Sequence, residues 1–341
     1  NNTTAVTGSF YDLGQFCDDG SGYGISTASM QTGATFLAAG WDITSQGGSG
    51  GIWRIYEGQT MPLLRTFLTG LTVTANDAST TYDGSTYSGG NGYGLSLSQV
   101  NPDALLGTVT YGGTSQGARN AGSYTLSVGG LYSSQFGYDI STVDGKLTIS
   151  PRALDVTTVS AADKIYDGGV GAQVTGSLSG LVSGDAVSLV STGAFADKNV
   201  GVAKSVSASF VLSGTDSGNY LINPFTGSLT ASITPLTLQL SGSSAANRTY
   251  DGTANATVTA GSMVNLISGD AVTVNGVGAF SDKNVGVGKS VTATYTLAGT
   301  DAGNYRIDTE QLYADISALA ITGNITASNK TYDGNTTAST S

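Results

Sequence analysis

The sequence contains no histidine, a single cysteine, five prolines and only two glutamates, Glu57 and Glu310. Without histidine, the commonest general base and zinc ligand is missing, and Cys17 alone cannot close a disulfide within the chain. Acid–base catalysis would have to use paired aspartates such as Asp18 and Asp19, but adjacent residues on a strand point to opposite faces. The composition therefore predicts a protein that is not an enzyme, has no catalytic residue and holds no cofactor.

Charged residues and long apolar runs are also scarce. Only 11% of residues are charged, the formal net charge is −11, and the 13 lysines and arginines are scattered singly. A nucleic acid or an anionic lipid surface requires a basic stripe, and a membrane-spanning helix requires about 18 consecutive apolar residues. We therefore expect no nucleic-acid partner and no membrane insertion.

The residues that are abundant favour strands and tight turns. Glycine occurs 50 times, and the acidic residues are almost all aspartate, which prefers turns, rather than glutamate, which prefers helices. Serine, threonine, valine and tyrosine make up much of the rest, as is typical of short strands. The composition predicts an all-β chain.

Internal repetition is the strongest signal in the sequence. The tripeptide Tyr-Asp-Gly recurs at intervals of 84, 84 and 82 residues, with its tyrosines at Tyr82, Tyr166, Tyr250 and Tyr332. This spacing predicts a tandem array of small domains. The expected domains cover residues 1–70, 71–151, 152–235, 236–318 and 319–341, the last being the start of a further repeat.

Alternating apolar residues mark the strands of the two most similar repeats. Lys204–Leu212 places Val206, Ala208, Phe210 and Leu212 on one face, and Lys289–Leu297 repeats this pattern. Leucines 236, 238 and 240 alternate at the start of one repeat, and residues 229, 231 and 233 alternate at the end of the repeat before it. Six or seven strands per repeat predict an Ig-like β-sandwich, with a β-grasp-like unit as the alternative.

The block GAFADKNVG at residues 193–201 recurs as GAFSDKNVG at residues 278–286. We interpret the Asp-Lys-Asn of each block as a turn, in which Asp197 and Asn199 bond back onto their own backbone and Gly201 takes a positive φ. A second turn follows each block, GTDSGNY at 214–220 and GTDAGNY at 299–305. The blocks are thus predicted to be structural.

Two other interpretations of these turns remain open. Asp197, Asn199, Asp216 and Asn219 are oxygen donors that could hold calcium if the two turns meet, although no EF-hand spacing supports this. Alternatively, Lys198 or Lys204 could form an isopeptide bond with an asparagine beside a buried acid, which would lower the intact mass by one ammonia.

The Tyr-Asp-Gly motif has two interpretations as well. In three copies, KIYDG, RTYDG and KTYDG, a cation lies two residues before the tyrosine. The Asp-Gly that follows the tyrosine is a strong hairpin-turn signal. The tyrosine could be a core or edge residue, or an exposed platform on which a sugar ring stacks.

Several motifs resemble those of a known family. The blocks KIYDG and RTYDG, SGDAV, the two DKNVG copies and the two GTDxGNY copies resemble the YDG domains of filamentous-haemagglutinin-like adhesins, which are large exoproteins of two-partner secretion systems. Residues 71–151, with TYDG and VTYGGTSQGARNAGSYTL, resemble the related MBG domain of the YGX type. Residues 1–70, with ISTASM and WRIYEGQTMPLLR, are similar to the end of a Gly-rich parallel β-helix with GLUG-type repeats.

The resemblance implies a secreted or cell-surface protein that acts in cell–cell or cell–matrix adhesion, often to polysaccharide in a biofilm matrix or to host surfaces. The implied partners are an exopolysaccharide, or a host or neighbour-cell surface bound through other parts of the parent protein, and an outer-membrane transporter. A dedicated carbohydrate-binding module is the alternative, and a β-helix polysaccharide-active enzyme is a weaker one. Because the chain begins Asn-Asn-Thr-Thr and ends soon after Gly334, we expect a piece of a longer protein.

The expected mechanical role is a semi-rigid stalk. Linkers as short as Ser150-Pro151-Arg152 and Thr234-Pro235-Leu236 should resist bending. Strands of about eight to ten residues would make each repeat roughly 30 Å long and three repeats on the order of 100 Å. In residues 1–70 we expect Trp41, Trp53, Ile55 and Leu63 to close the end of the β-helix, with residues 27–39 as a short capping helix.

Overall fold

A computed structural model describes residues 9–14 and 23–340. The chain divides into two compact units, one made of residues 1–157, 177–190 and 211–225 and the other of residues 158–176, 191–210 and 226–341. Each unit thus includes part of the first YDG-like repeat, 152–235. Among the described residues, no helix is long and apolar enough to cross a membrane.

The amino-terminal segment combines very short strands with two short helices. The elements are β1 (Phe10–Asp12), β2 (Tyr23–Ile25), α1 (Thr27–Met30), α2 (Gly33–Ala38), β3 (Ile43–Thr44), β4 (Trp53–Arg54), β5 (Leu63–Leu64) and a 3-10 turn (Arg65–Phe67). The pairs β1–β2 and β3–β4 are parallel, whereas β4–β5 is antiparallel. The predicted helix at 27–39 is therefore present as two helices.

A small core holds this segment together. The Trp41 and Trp53 rings contact each other at a centroid distance of 4.9 Å with a tilt of 39°, and both pack with the buried side chains Phe36 and Ile55. Leu63, which we expected in the same cluster, packs instead in the core of residues 71–151. The reason is that β5 lies at the end of the segment, where the chain enters the next domain.

Residues 71–151 form two sheets around one core. Their strands are β6 (Thr69–Ala75), β7 (Ala78–Thr81), β8 (Tyr93–Leu95), β9 (Leu105–Gly112), β10 (Gly122–Ser133), β11 (Tyr138–Val143) and β12 (Gly145–Ser150). One sheet has the order β7-β12-β10-β9 and the other β11-β6-β8. Alternating residues of β6 (Leu71, Val73 and Ala75) are buried between the sheets, as period-two patterning requires.

The first YDG-like repeat also has two sheets. Its strands are β13 (Arg152–Ala161), β14 (Lys164–Ile165), β15 (Gly171–Ala172), β16 (Val174–Ser179), β17 (Ser188–Phe195), β18 (Gly201–Ser213), β19 (Tyr220–Ile222) and β20 (Leu229–Thr234). The sheet orders are β16-β13-β19 and β14-β20-β18-β17-β15. The entering strand β13 pairs parallel with β19, and β14 pairs parallel with the closing strand β20.

The second YDG-like repeat reproduces this arrangement with shorter pieces. Its strands are β21 (Leu236–Leu238), β22 (Leu240–Ser241), β23 (Ser244–Ala245), β24 (Arg248–Thr249), β25 (Asn255–Ala256), β26 (Val258–Thr259), β27 (Ser262–Met263), β28 (Thr273–Phe280), β29 (Gly286–Ala298), β30 (Tyr305–Ile307) and β31 (Glu310–Ser317). The large sheet has the order β24-β31-β29-β28-β25, matching the first repeat strand for strand.

The structure confirms an all-β chain and the predicted long strands. The strand predicted at Lys204–Leu212 runs over Gly201–Ser213, and that at Lys289–Leu297 over Gly286–Ala298. The helical content described in residues 152–318 is limited to 3-10 turns at Ser217–Asn219 and Ala302–Asn304. A β-grasp unit packs an α-helix on its sheet, so this arrangement favours the two-sheet sandwich.

Two expectations about turns need correction. The Asp-Gly after Tyr166 does not close a hairpin, because β14 and β15 lie at opposite edges of the five-stranded sheet. Gly201 does not take a positive φ. The positive φ falls instead at Ala203 (50°) and, in the other repeat, at Gly288 (60°), where β-bulges interrupt the pairing of β18 with β20 and of β29 with β31.

Candidate inter-repeat joints

The tyrosines of the first three Tyr-Asp-Gly motifs are fixed at the same place in their repeats. Each follows a short strand that runs parallel to the closing strand of that repeat (β7 with β12, β14 with β20, β24 with β31). In each case the tyrosine N–H donates to a carbonyl of this closing strand, at distances of 2.9, 2.8 and 2.9 Å for Tyr82 to Ser150, Tyr166 to Thr234 and Tyr250 to Ser317.

The hydroxyls of the first two tyrosines reach into the following repeat. Tyr82 donates to an oxygen of Asp185 at 2.7 Å, and Tyr166 donates to the equivalent oxygen of Asp270 at 2.7 Å. The two tyrosines are only 1% and 2% exposed. Each aspartate belongs to an SGDAV motif. The motif tyrosine of one repeat therefore binds the motif aspartate of the next.

A second tyrosine completes each contact from the aspartate's own repeat. Tyr220 donates to the same oxygen of Asp185 at 2.5 Å, and Tyr305 donates to that of Asp270 at 2.6 Å. The paired rings pack edge to face, with centroids 5.3 Å apart for Tyr82 and Tyr220 and 5.4 Å apart for Tyr166 and Tyr305. This geometry adds aromatic packing to the two hydrogen bonds.

A cation from the tyrosine's repeat binds the other oxygen of each aspartate. Arg119 lies 3.0 Å from Asp185, and Lys198 lies 2.7 Å from Asp270. The aspartate side chains are 1% and 2% exposed, whereas Arg119 and Lys198 are 46% and 37% exposed, so water screens each pair from the cation's side only. Lys198 also lies 3.6 Å from Asp301 of the GTDAGNY turn.

A buried asparagine forms a further bond across each contact. The side-chain oxygen of Asn219 accepts the N–H of Ala121 at 2.8 Å, and that of Asn304 accepts the N–H of Val200 at 2.9 Å. Their amide groups donate to the side-chain oxygens of Asn120 and Asn199, at 3.3 and 3.2 Å. Both buried asparagines are 5% exposed, and their amide oxygens are thus satisfied.

The glycine of the motif is required for two reasons. Gly84 and Gly168 have φ values of +82° and +77°, which disfavour side chains. In addition, a Cβ atom at Gly84 would lie 2.6 Å from a methyl carbon of Val182, and one at Gly168 would lie 2.8 Å from a methyl carbon of Ile267. Each glycine therefore lets an apolar side chain of the next repeat pack against the turn.

We call these two clusters the first and second joints. The first joint consists of Tyr82, Gly84, Arg119, Asn120, Ala121, Val182, Asp185, Asn219 and Tyr220. The second consists of Tyr166, Gly168, Lys198, Asn199, Val200, Ile267, Asp270, Asn304 and Tyr305. Each joint lies wholly inside one of the two compact units.

The ionisation equilibria follow from this geometry. Hydrogen bonds from Tyr220 and Tyr82, with the charge of Arg119, hold the pKa of Asp185 below its usual value. Burial raises the pKa of Asp270, but bonds from Lys198, Tyr305 and Tyr166 outweigh it, so that this pKa is lowered as well. Burial and the neighbouring carboxylate raise the pKa of Tyr82 and of Tyr305 to about 12. Asp270, and then Tyr166, raise the pKa of Lys198.

The structure confirms that Asp197 caps a turn, but Lys198 has a different role from the predicted one. The Asp197 carboxylate accepts the N–H of Asn199 at 2.8 Å and pairs with Lys204 at 2.5 Å, and Asp282 accepts that of Asn284 at 2.8 Å. Lys198 is no part of this hydrogen bonding. It crosses to the following repeat at the second joint.

The four calcium candidates have protein partners. Asp197 and Asn199 accept the bonds given above, the Asp216 carboxylate accepts the N–H of Ala186 at 2.8 Å, and Asn219 belongs to the first joint. In residues 9–14 and 23–340, no three His, Cys, Asp or Glu side chains are grouped to hold a metal ion. Calcium binding stays a prediction. Cys17, Asp18 and Asp19 lie outside the described residues.

The other interpretations of the motifs can also be placed. Lys198 and Lys204, the candidates for an isopeptide bond, each pair with an aspartate. The cation before each tyrosine pairs with the aspartate after it, Lys164 with Asp167, Arg248 with Asp251 and Lys330 with Asp333. The sugar-platform interpretation is wrong for Tyr82 and Tyr166, because their rings are buried.

Comparison with known families finds two YDG domains. The YDG domain family model matches residues 150–227 and residues 234–312. No curated protein matches the chain. The matched segments contain both acceptor aspartates, Asp185 and Asp270, and the Tyr-Asp-Gly motifs that begin at Tyr166 and Tyr250.

Solved structures give only a weak likeness. Drosophila N-cadherin EC1-3 is 6% identical with a TM-score of 0.23, over 72% of this chain and 98% of that chain. Mouse cadherin-23 EC22-24 is 12% identical with a TM-score of 0.18, over 74% of this chain and 100% of that chain. At such scores the likeness carries no argument about function.

Proposed function

We propose that this chain is part of a secreted bacterial adhesin of the filamentous-haemagglutinin type, in which tandem β-domains form a semi-rigid stalk. The stalk supports adhesion between cells or between a cell and its matrix. The proposal includes an MBG-type domain at residues 71–151 and the end of a GLUG-type β-helix at residues 1–70. It assigns the chain no enzymatic activity.

The observation that carries the proposal is the repetition of one joint. Domains joined by flexible linkers need no specific contact with their neighbours, and such linkers are usually polar and several residues long. Here Pro151 alone separates β12 from β13, and each joint buries a carboxylate under three donors. Such contacts fix the angle between neighbours, which is the property that a stalk needs in order to span a distance.

The partners follow from the same proposal. The ligand, an exopolysaccharide or the surface of a host or neighbouring cell, would be bound by other parts of the parent protein. An outer-membrane transporter would export the parent protein. The low content of cations and the net charge of −11 keep such stalks apart in solution. The buried motif tyrosines support a spacer over a carbohydrate-binding module, because their rings are not available to a sugar.

Stiffness at the second joint tests the proposal. Spin labels at Val202 and Val287, which are 88% and 89% exposed and equivalent in the two YDG repeats, report on the distance between these repeats once Cys17 is replaced by serine. We expect a narrow distance distribution that becomes broad in the double variant Tyr166→Phe, Lys198→Met. The matched double variant Tyr250→Phe, Lys283→Met should leave the distribution narrow. A broad distribution in the unaltered chain would contradict the stalk.

A further inference from the structure

The second YDG repeat carries its own copy of the residues that the first YDG repeat presents at the second joint. Tyr250 is held by Ser317 as Tyr166 is held by Thr234. Asn284 is held by Asp282 as Asn199 is held by Asp197, and Asp282 pairs with Lys289 as Asp197 pairs with Lys204. The local structure that presents tyrosine, lysine and asparagine at the second joint is thus built again in the second YDG repeat.

This third set has no counterpart within residues 9–14 and 23–340. No hydrogen bond is made by the Tyr250 hydroxyl and no ion pair by Lys283 among these residues. Val285 is 54% exposed, whereas the equivalent Val200 is half-buried. A Cβ atom at Gly252 would meet nothing within 4 Å, whereas the same atom at Gly168 would contact Ile267.

The residues that follow do not cover this surface. In residues 319–340, Ile321, Ile325 and Tyr332 are 90%, 79% and 94% exposed. This segment instead repeats the beginning of a YDG domain. Lys330 pairs with Asp333 at 2.9 Å, as Lys164 pairs with Asp167.

We propose that Tyr250, Gly252, Lys283, Asn284 and Val285 form a docking face for a further YDG repeat. This inference rests on the proposed function and extends it. The partner would supply an aspartate between the Tyr250 hydroxyl and Lys283, an asparagine oxygen for the N–H of Val285, and an apolar side chain over Gly252. These are the groups that Asp270, Asn304 and Ile267 supply at the second joint.

The charge and the shape of the docking face both favour a folded YDG repeat as its partner. A carboxylate is the partner that Lys283 and a tyrosine hydroxyl both favour. An unstructured acidic segment could supply the carboxylate, but it would have to order an asparagine and an apolar group at the same time, at an entropic cost. A folded YDG repeat holds the three groups ready, because Tyr305, the residue after Asn304, donates to Asp270 at 2.6 Å and accepts the N–H of Ile267 at 3.1 Å.

The test is a longer chain in which residues 1–318 are followed by a second copy of residues 152–235. Ala318 then precedes Arg152 in the register that Pro151 and Pro235 occupy in the natural junctions. The peptide around Val285 stays unique in mass, since the copied block reads GAFADKNVG and the original reads GAFSDKNVG. Amide hydrogen exchange of this peptide is compared between the longer chain and the natural one.

We expect exchange at the Val285 amide to slow by at least about tenfold in the longer chain, as the amide gains an asparagine acceptor inside a packed contact. Tyr250→Phe and Lys283→Met should restore fast exchange there and leave exchange in the natural chain unchanged. In the added copy, replacement of the aspartate that corresponds to Asp185 by asparagine should also restore fast exchange at the Val285 amide.

Three results would overturn the proposal. The first is equal exchange in both chains while protected amides show that the added repeat is folded. The second is an equal effect of Tyr250→Phe in both chains, which would give Tyr250 a role within its own repeat. The third is that a soluble polyaspartate peptide slows exchange at the Val285 amide of the natural chain as much as the added repeat does in the longer chain. This result would identify a general acidic partner. A narrow distance distribution between labels at 202 and 287 alongside any of these would leave the stalk intact and remove only the docking face.

Discussion

Tyr166 and Asp270 are separated by 104 positions and are joined by a hydrogen bond of 2.7 Å. The separation is longer than one repeat, so the bond cannot form within a single domain. The same holds for Tyr82 and Asp185, which are 103 positions apart. The motif that names the YDG domain thus acts between domains, and a mutation in it should be felt in the neighbouring repeat.

Removal of one hydroxyl gives the simplest prediction. Tyr166→Phe should lower the free energy of unfolding by about 1–2 kcal/mol, because a buried hydrogen bond to a carboxylate is lost while the ring packing stays. Tyr250→Phe removes the equivalent hydroxyl, which makes no hydrogen bond within residues 9–14 and 23–340, and should change the free energy of unfolding by less than about 0.5 kcal/mol. Denaturant unfolding of both variants measures the difference. Equal effects would contradict the role of Tyr166 in the second joint.

Acid should weaken both joints. The pKa of Asp185 and that of Asp270 are lowered in the folded chain, so their contribution is complete above the unfolded value of about 4 and is lost as the pH falls through the lowered values. We expect the melting temperature to fall below about pH 4. In Asp270→Asn, the melting temperature should start lower at neutral pH and fall less steeply on acidification. A parallel pH curve for this variant would exclude Asp270 as a source of the acid sensitivity.

Alkali should weaken the same contacts through the tyrosines. The pKa of Tyr82 and of Tyr305 is raised to about 12. Stability is therefore complete below the ordinary tyrosine pKa of about 10 and is lost as the pH rises from there towards 12. Absorbance at tyrosinate wavelengths, followed during a pH titration, should show a late-ionising group of tyrosines. Tyr82→Phe should remove one member of that group, and an unchanged late-ionising group in this variant would contradict the assignment to Tyr82.

The motif glycines separate the cost of backbone strain from the cost of packing. Gly252→Ala should destabilise its repeat by about 1 kcal/mol, because its φ of +85° is unfavourable for alanine and the surrounding space is open. Gly168→Ala has a similar φ but also meets Ile267, so its cost should be larger by at least about 1 kcal/mol. Thermal melts of the two variants make the comparison. An equal cost would mean that Ile267 moves away freely.

The β-bulges offer a reciprocal pair of substitutions. Ala203 has a φ of 50°, and its counterpart Gly288 has a φ of 60° with nothing near its missing Cβ. Ala203→Gly should therefore stabilise the first YDG repeat by up to about 1 kcal/mol, and Gly288→Ala should destabilise the second by a similar amount. Denaturant midpoints test both signs. A loss of stability in Ala203→Gly would contradict the strain at this position.

Much of the fold is visible in the sequence, because the signals are local. The alternation of Val206, Ala208 and Phe210 identifies β18, and Asp197 identifies the turn before it. The ends of β18 and the position of its bulge are not visible, since they depend on pairing with β20. The division of β21–β23 into three short pieces is likewise a result of the tertiary environment, not of propensity.

The joints were not predicted from the sequence, because the tyrosine and the aspartate that meet there lie more than 100 positions apart. The repeat interval of 84 residues shows which residues are equivalent, but it does not show which residues of neighbouring repeats are in contact. One signal could have shown them. A basic residue followed by asparagine and then glycine two positions later occurs at Arg119, Lys198 and Lys283, once in each of the domains 71–151, 152–235 and 236–318. The SGDA motif occurs only at Asp185 and Asp270. Three donor sets against two acceptor sets indicate contacts that run in one direction along the chain.

In the first YDG repeat the entering strand β13 and the closing strand β20 each pair parallel with another strand, and this determines how the repeat would respond to tension. A pull on the chain ends draws β13 along β19 and draws β20 along β14, in each case parallel to the strands. The hydrogen bonds of each pair are then loaded together in shear, and none can open before the others, unlike a hairpin that unzips from its end. Repeats linked in this way should hold their fold under hydrodynamic drag and transmit force along the chain with little extension.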